Sequence, residues 1–149
     1  MAVASATVRL TANFEANLDG IADFWTEREA PQAYARLLEE LGGTVIVNLE
    51  RHPRIGRKFF ERTAHSVEVR NRVALLLERF GGAEVREYLS GDYVLLYCIV
   101  ESGAARKPSL TVHLLAIRHQ RQLSFDFEGL RRSHRVQEGR RASRGGFPG

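Results

Sequence analysis

From Val8 to Ala12 the chain alternates in a short β-prone run, after which Phe14, Leu18, Ile21, Ala22 and Trp25 recur at the spacing of one helical face. A strand is predicted to run straight into an amphipathic helix, with Trp25 on its core-facing stripe. A second helix is predicted from Pro31, a residue suited to the first helical turn, where no N–H is needed. It sets Tyr34, Leu37, Leu38, Leu41, Val45 and Leu49 on one stripe, and Pro53 ends it. Gly42 and Gly43 fall in its middle, each costing about 1 kcal/mol relative to alanine, so a kink or close packing is expected there. Arg54 to Lys58 reads as a basic loop. A third helical pattern starts near Ala64, runs through Val69, Val73, Leu76, Leu77 and Phe80, and is stopped by Gly81 and Gly82.

The period then changes to that of strands. Glu84 to Leu89, Tyr93 to Val100 and Leu110 to Ile117 are β-rich runs, the first two joined by Ser90-Gly91-Asp92, and together they predict an antiparallel meander. The middle run is apolar at every position from Tyr93 to Val100, the pattern of a central strand with helices on both faces. Leu123, Phe125 and Phe127 alternate with polar neighbours and predict a last extended segment docked on the domain. Strand first, then helices, then strands is an α+β order: an N-terminal strand and helical hairpin packed on a C-terminal antiparallel β-meander, with an extra third helix.

Composition adds a boundary. The 149 residues suit one domain, and 44% hydrophobic content can fill one core. After Glu128 the chain turns to Arg, Ser and Gly, too poor in large apolar groups to offset the entropy of ordering, so one folded domain is placed at 1–128 and a disordered tail at 129–149. Six arginines (131, 132, 135, 140, 141 and 144) stand in that tail against Glu138, a net +5 that leaves −1 for residues 1–128 of the overall +4. The sequence pI of 9.7 therefore says little about the folded part. The single cysteine, Cys98, cannot form an intramolecular disulfide and reads as a buried hydrophobe in a reducing cytosol. Neither a signal peptide nor an apolar run long enough to span a bilayer is read, so a soluble cytoplasmic protein with no membrane partner is expected.

Several stretches together resemble one family. Val8-Arg9-Leu10-Thr11 with Phe14-Glu15-Ala16-Asn17-Leu18 looks like the first strand and helix of the RelE/ParE toxins. Leu49, Pro53, Gly56 and Arg57 are similar to the family's Leu-x-x-x-Pro-x-x-Gly-Arg link. Arg86-Glu87-Tyr88, Asp92 to Tyr97, and Leu115 to Arg121 with its His119-Gln120-Arg121 resemble the closing strands and their His-x-Arg ending. The likeness covers about residues 7–127, and the stretch from Phe60 to Gly82 is longer than the family's usual link. It implies the toxin of a type II toxin–antitoxin pair, associated with plasmid stabilisation and growth arrest, held inactive by a cognate antitoxin. Exposed apolar surface for that antitoxin is expected on the first two helices and at the edge left by the meander.

Two activities divide the family: inhibition of DNA gyrase by protein–protein contact, as in ParE, and ribosome-dependent cleavage of mRNA, as in RelE. Aligned on the closing strands, Val85 and Glu87 stand where RelE has lysines and Val94 where it has arginine. Metal-free RNA cleavage needs cations beside the phosphate, and Glu87 would repel it. The resemblance therefore leans to ParE and away from an enzyme. If the chain does cut RNA, the catalytic set is Arg86, Arg118, His119 and Arg121, with His119 as acid or base and Arg86 and Arg118 as phosphate clamps. The alternative for the same residues is that they cap strand ends or pair with nearby acids. A non-toxic interaction module on the same fold is a third reading.

The remaining motifs are weak. Gly56-Arg57-Lys58 lacks the first glycine and the Ser or Thr of a phosphate loop. His113 and His119 fall where they could share a strand face, with no further ligand at metal spacing, so neither a metal nor a cofactor is expected. Arg clusters in the tail could attract nucleic acid by counterion release, and a solubilising extension explains them equally.

Overall fold

The computed structural model describes residues 5–60, 66–81, 83–103, 108–122 and 125–127. Thr7–Leu10 form strand β1 and Ala12–Glu27 form helix α1. Thr11 joins them: its Oγ1 accepts the Phe14 N–H at 3.2 Å and donates to the Leu114 carbonyl at 2.7 Å. One hydroxyl thus caps the helix and pins it to the sheet. At the other end Glu29 takes a φ of 57°, and Ala30 N–H closes on the Trp25 carbonyl at 2.9 Å.

Pro31 opens α2 (Pro31–Glu40), which passes through a π-helical turn (Leu41–Val45) into α3 (Ile46–Arg51). The disturbance expected at Gly42 and Gly43 is this π turn; close packing is not its cause, since a Cβ at either glycine would meet nothing within 4 Å. The buried positions supply the reason. Leu37, Leu41, Val45 and Leu49 all face the core at intervals of four residues. In an ordinary α-helix each such step overshoots a full turn by about 40°. A wider i→i+5 turn takes up part of the drift and keeps the stripe on the sheet. Leu38, expected on that stripe, is exposed.

The basic loop is more ordered than expected, because Arg57–Lys58 form a short strand β2 against β3. Helix α4 spans Val67–Glu78, capped by Ser66 and followed by Gly81 at a φ of 69°. Then come β3 (Glu84–Ser90), β4 (Tyr93–Ser102) and β5 (Ser109–His119). The sheet order is β1-β5-β4-β3-β2, with β1 parallel to β5 and the other pairs antiparallel. The meander's outer strands are therefore covered at both sides, over part of their length, and the free meander edge expected from sequence is occupied by β1 and β2.

Strand β4 lies at the centre, and Val94 to Ile99 are buried without a break. Leu95, Tyr97 and Ile99 pack with Phe14, Leu18 and the α2–α3 stripe. Val94, Leu96 and Cys98 pack on the opposite face with Phe59, Val73, Leu76 and Leu77. Phe125 and Phe127 are buried in this second cluster, as the alternation there predicts. Leu123 and the tail from 129 onward lie outside the described residues.

A β-bulge interrupts β5: Leu96 pairs with Ala116 and Tyr97 with Leu114, so Leu115 is the extra residue. Its consequence is a change of face. His113 stands opposite Cys98 beside Phe80, on the α4 side, whereas His119 stands opposite Tyr93, on the α1 side. The shared strand face expected for these two histidines is lost to the one-residue insertion. Among the described residues, no helix is long and apolar enough to cross a membrane.

Candidate functional site: a groove and a closed face

The bulge is held by two buried asparagines from α1. Asn13 Nδ2 donates to the Leu115 carbonyl at 2.8 Å, and Asn17 Oδ1 accepts the Ile117 N–H at 3.0 Å. Each also donates to the Asp126 carbonyl at 3.1 Å, tying the last segment to the helix. Sequence reasoning passed over both. Their signal was visible as polar residues four apart beside the apolar pair Phe14 and Leu18.

Further along the same side of α1, a groove opens between the helix and the turn after β5. It consists of two hollows of about 320 and 390 Å³ that share Phe24, His119 and Gln122. The first is lined by Gly20, Ile21, Tyr93, Ile117 and Asp126 among others, the second by Trp25, Arg28 and Arg121. Trp25, expected in the core, is half-buried at this rim, because α1 runs past the hairpin between β3 and β4; its Nε1–H donates to the Tyr93 hydroxyl at 3.0 Å. The His119 ring stands edge-on to Tyr93, with centroids 5.4 Å apart. His119 Nδ1 accepts the Arg121 N–H at 3.1 Å, and the Gln122 side chain accepts the His119 N–H at 2.9 Å.

Of the four residues proposed for catalysis from sequence, the groove brings together His119 and Arg121 only. Arg118 turns to the opposite face, where its guanidinium lies 4.9 Å from the Phe125 ring centre and donates to the Gln122 carbonyl at 2.7 Å. Arg86 is held at the other end of β3, donating to Glu84 Oε1 at 2.8 Å and to the Gly56 carbonyl. Burial works to raise the Glu84 carboxyl, but Arg86 and Arg54 outweigh it and keep the group below its ordinary value. The register sets Arg86 opposite Tyr97 and His119 opposite Tyr93, so the two lie four residues and two strands apart. That is roughly 16 Å at standard strand spacings, too far for both to grip one phosphate.

The other face of the sheet is shut. Val85, Glu87 and Val94 all point toward α4 and are buried, Glu87 at 1% exposure. The Glu87 carboxylate lies 3.7 Å from Arg57 Nε across the β2–β3 pair. The link residues close the same edge of the sheet from its α1 side. Tyr97 Oη donates to the Pro53 carbonyl at 2.7 Å and accepts the Gly56 N–H at 2.9 Å, with the ring fully buried. A Cβ on Gly56 would stand 2.5 Å from the Glu87 carbonyl oxygen and 2.6 Å from Tyr97 Oη. Leu49, Pro53, Gly56 and Arg57 thus form one docking device, a core anchor, an acceptor, a close approach and a cation, in the order in which they stand along the chain.

A family model described as the ParE toxin of the type II toxin–antitoxin system parDE matches residues 8–124. The chain belongs to the ParE toxin family. The match runs from Val8 in β1 to just beyond the turn after β5, α4 included, so the long segment between Arg57 and Glu84 lies within the family domain. Membership makes the chain a toxin of the type II class and implies an antitoxin partner. No curated protein matches the chain at a significant level.

Proposed function

We propose that this toxin acts in the cytoplasm by inhibiting DNA gyrase through protein–protein contact, without cutting RNA, and that a cognate antitoxin neutralises it. The observation that carries this reading is the closed face. The three positions where RNA-cutting relatives place cations are Val85, Glu87 and Val94 here, and all three lie buried. A phosphodiester brought to that face would meet the α4 cluster and a carboxylate already matched to Arg57. With Arg86 and Arg118 engaged in protein hydrogen bonds, the described residues gather too little cationic charge to stabilise a pentacovalent phosphate. The purified toxin should slow gyrase supercoiling of relaxed plasmid while leaving ribosome-bound mRNA intact. Intact supercoiling together with cleaved message would reject it.

A ribosome-dependent endoribonuclease is the second reading, supported by one observation: His119 and Arg121 face an open groove beside Tyr93 and Arg28. On that reading translated messages are cut, and replacing His119 and Arg121 together by alanine abolishes the cutting. Unaffected growth on expression without the antitoxin would disfavour both readings and leave a non-toxic module.

A further inference from the structure

We propose that the groove between α1 and the turn after β5 is the docking site for an acidic segment of the cognate antitoxin, one that carries a large apolar anchor. The proposal rests on the toxin reading and goes beyond it by naming the surface and the chemistry of what binds there.

The groove is two-lobed, and the lobes differ. In the first, Ile21, Phe24 and Ile117 surround an opening left by Gly20, where an added Cβ would meet nothing within 4 Å. That space suits one large apolar side chain. Phe24 is 43% exposed although it is among the largest apolar residues of the chain, the cost expected of a surface that is covered in use. In the second lobe the charged lining residues among those described are Arg28 and Arg121, with no acid among the described residues. The Arg28 guanidinium lies 3.5 Å from the centre of the Phe24 ring, and Phe24 lines both lobes, so the cation stands against the wall that the two lobes share. An anchor seated at Gly20 therefore brings the neighbouring residues of its own chain against two arginines, and carboxylates there would gain charge-assisted hydrogen bonds.

The walls are also fixed before anything binds. Trp25 is held to Tyr93, Tyr93 stands against His119, and His119 is bonded through both its ring and its backbone to the following turn. Little ordering cost remains for the toxin to meet on association. A nucleic-acid strand fits less well, because Asp126 lines the apolar lobe and, among the described residues, arginines line the second lobe alone.

The test uses the full-length toxin and its purified cognate antitoxin, with calorimetric titration at two salt concentrations. Two variants probe the two lobes: Gly20→Leu, which fills the apolar lobe from an unobstructed helix position, and Arg28→Glu with Arg121→Glu, both at exposed sites. Each should weaken binding at least tenfold with unchanged thermal melting, and the charge reversal should also flatten the salt dependence. If wild-type toxin binds the antitoxin and both variants bind it equally well, the groove is not the site. Displacement of the antitoxin by a single-stranded oligouridylate that the same variants fail to bind would assign the groove to RNA and overturn the proposal. Should Gly20→Leu not fold, the double charge reversal decides alone. Absence of any binding by the wild type would instead remove the partner reading on which the inference stands.

Discussion

Replacing Tyr97 by phenylalanine isolates the device that docks the link onto the sheet. The ring stays in a fully buried site with its shape unchanged, but the Pro53 carbonyl and the Gly56 N–H each lose their partner. A typical hydrogen bond contributes about 0.5–1.5 kcal/mol net, whereas stranding a buried polar group costs about 1–3 kcal/mol; with two groups stranded, the expected loss is about 2–6 kcal/mol. At roughly 3–4 °C per kcal/mol for a domain of this size, Tm should fall by about 6–24 °C. Tyr88→Phe serves as the control, since its hydroxyl accepts a single hydrogen bond, from Asn48 at 2.9 Å, in a half-buried setting, and should cost about 1 kcal/mol or less. The same site has a signature at high pH. Burial pushes the Tyr97 hydroxyl from 10.0 up to about 12. The folded state thus favours the neutral phenol, and stability present below pH 10 is lost as pH rises through 12. Buried Cys98, pushed from 9.0 to about 12, adds a loss of the same sign, so the comparison belongs in a Cys98→Ala background. Urea unfolding of both proteins at pH 8 and near pH 10.5 measures both effects. A Tyr97→Phe cost under about 0.5 kcal/mol, or an alkaline slope equal to that of its parent, would refute the account of the link as a hydrogen-bonded dock.

Three further outcomes are expected. Gly56→Ala forces a methyl group to within 2.6 Å of the Glu87 carbonyl and Tyr97 Oη, and should destabilise by about 1–3 kcal/mol or more in chemical denaturation; a neutral result would mean that the link can shift outward freely. Glu29 holds a left-handed φ of 57°, so Glu29→Gly should stabilise by about 0.5–1 kcal/mol, seen as a higher urea midpoint at constant slope. Partial burial, and then the charge of Arg9, hold His113 below 6.5. The unfolded chain therefore takes up that proton first, and stability should fall as pH drops from about 6.5 toward 5. His113→Gln should flatten that slope in urea titrations, and an unchanged slope would place its origin elsewhere.

Much of the fold was legible because burial leaves a periodic trace. The unbroken apolar run from Tyr93 to Val100 announced a strand covered on both faces, and β4 is that strand. Gly42 and Gly43 in the middle of the second helical stripe announced a disturbed helix, and the π turn lies there, although the four-residue spacing behind it emerged only with the buried positions. The link from Leu49 to Arg57 was legible as a motif, because an acceptor, a glycine and a cation at fixed intervals all serve one short contact. Tertiary structure alone decided which face each polar residue serves. A one-residue bulge at Leu115 sends His113 and His119 to opposite sides of the sheet, and no local pattern encodes it, since it is stabilised by asparagines about a hundred residues away on α1. The separation of Arg86 from His119 likewise follows from strand register, a property of two strands and not of either one. Periodicity records how a segment sees the core; only the assembled sheet determines which distant side chains see one another.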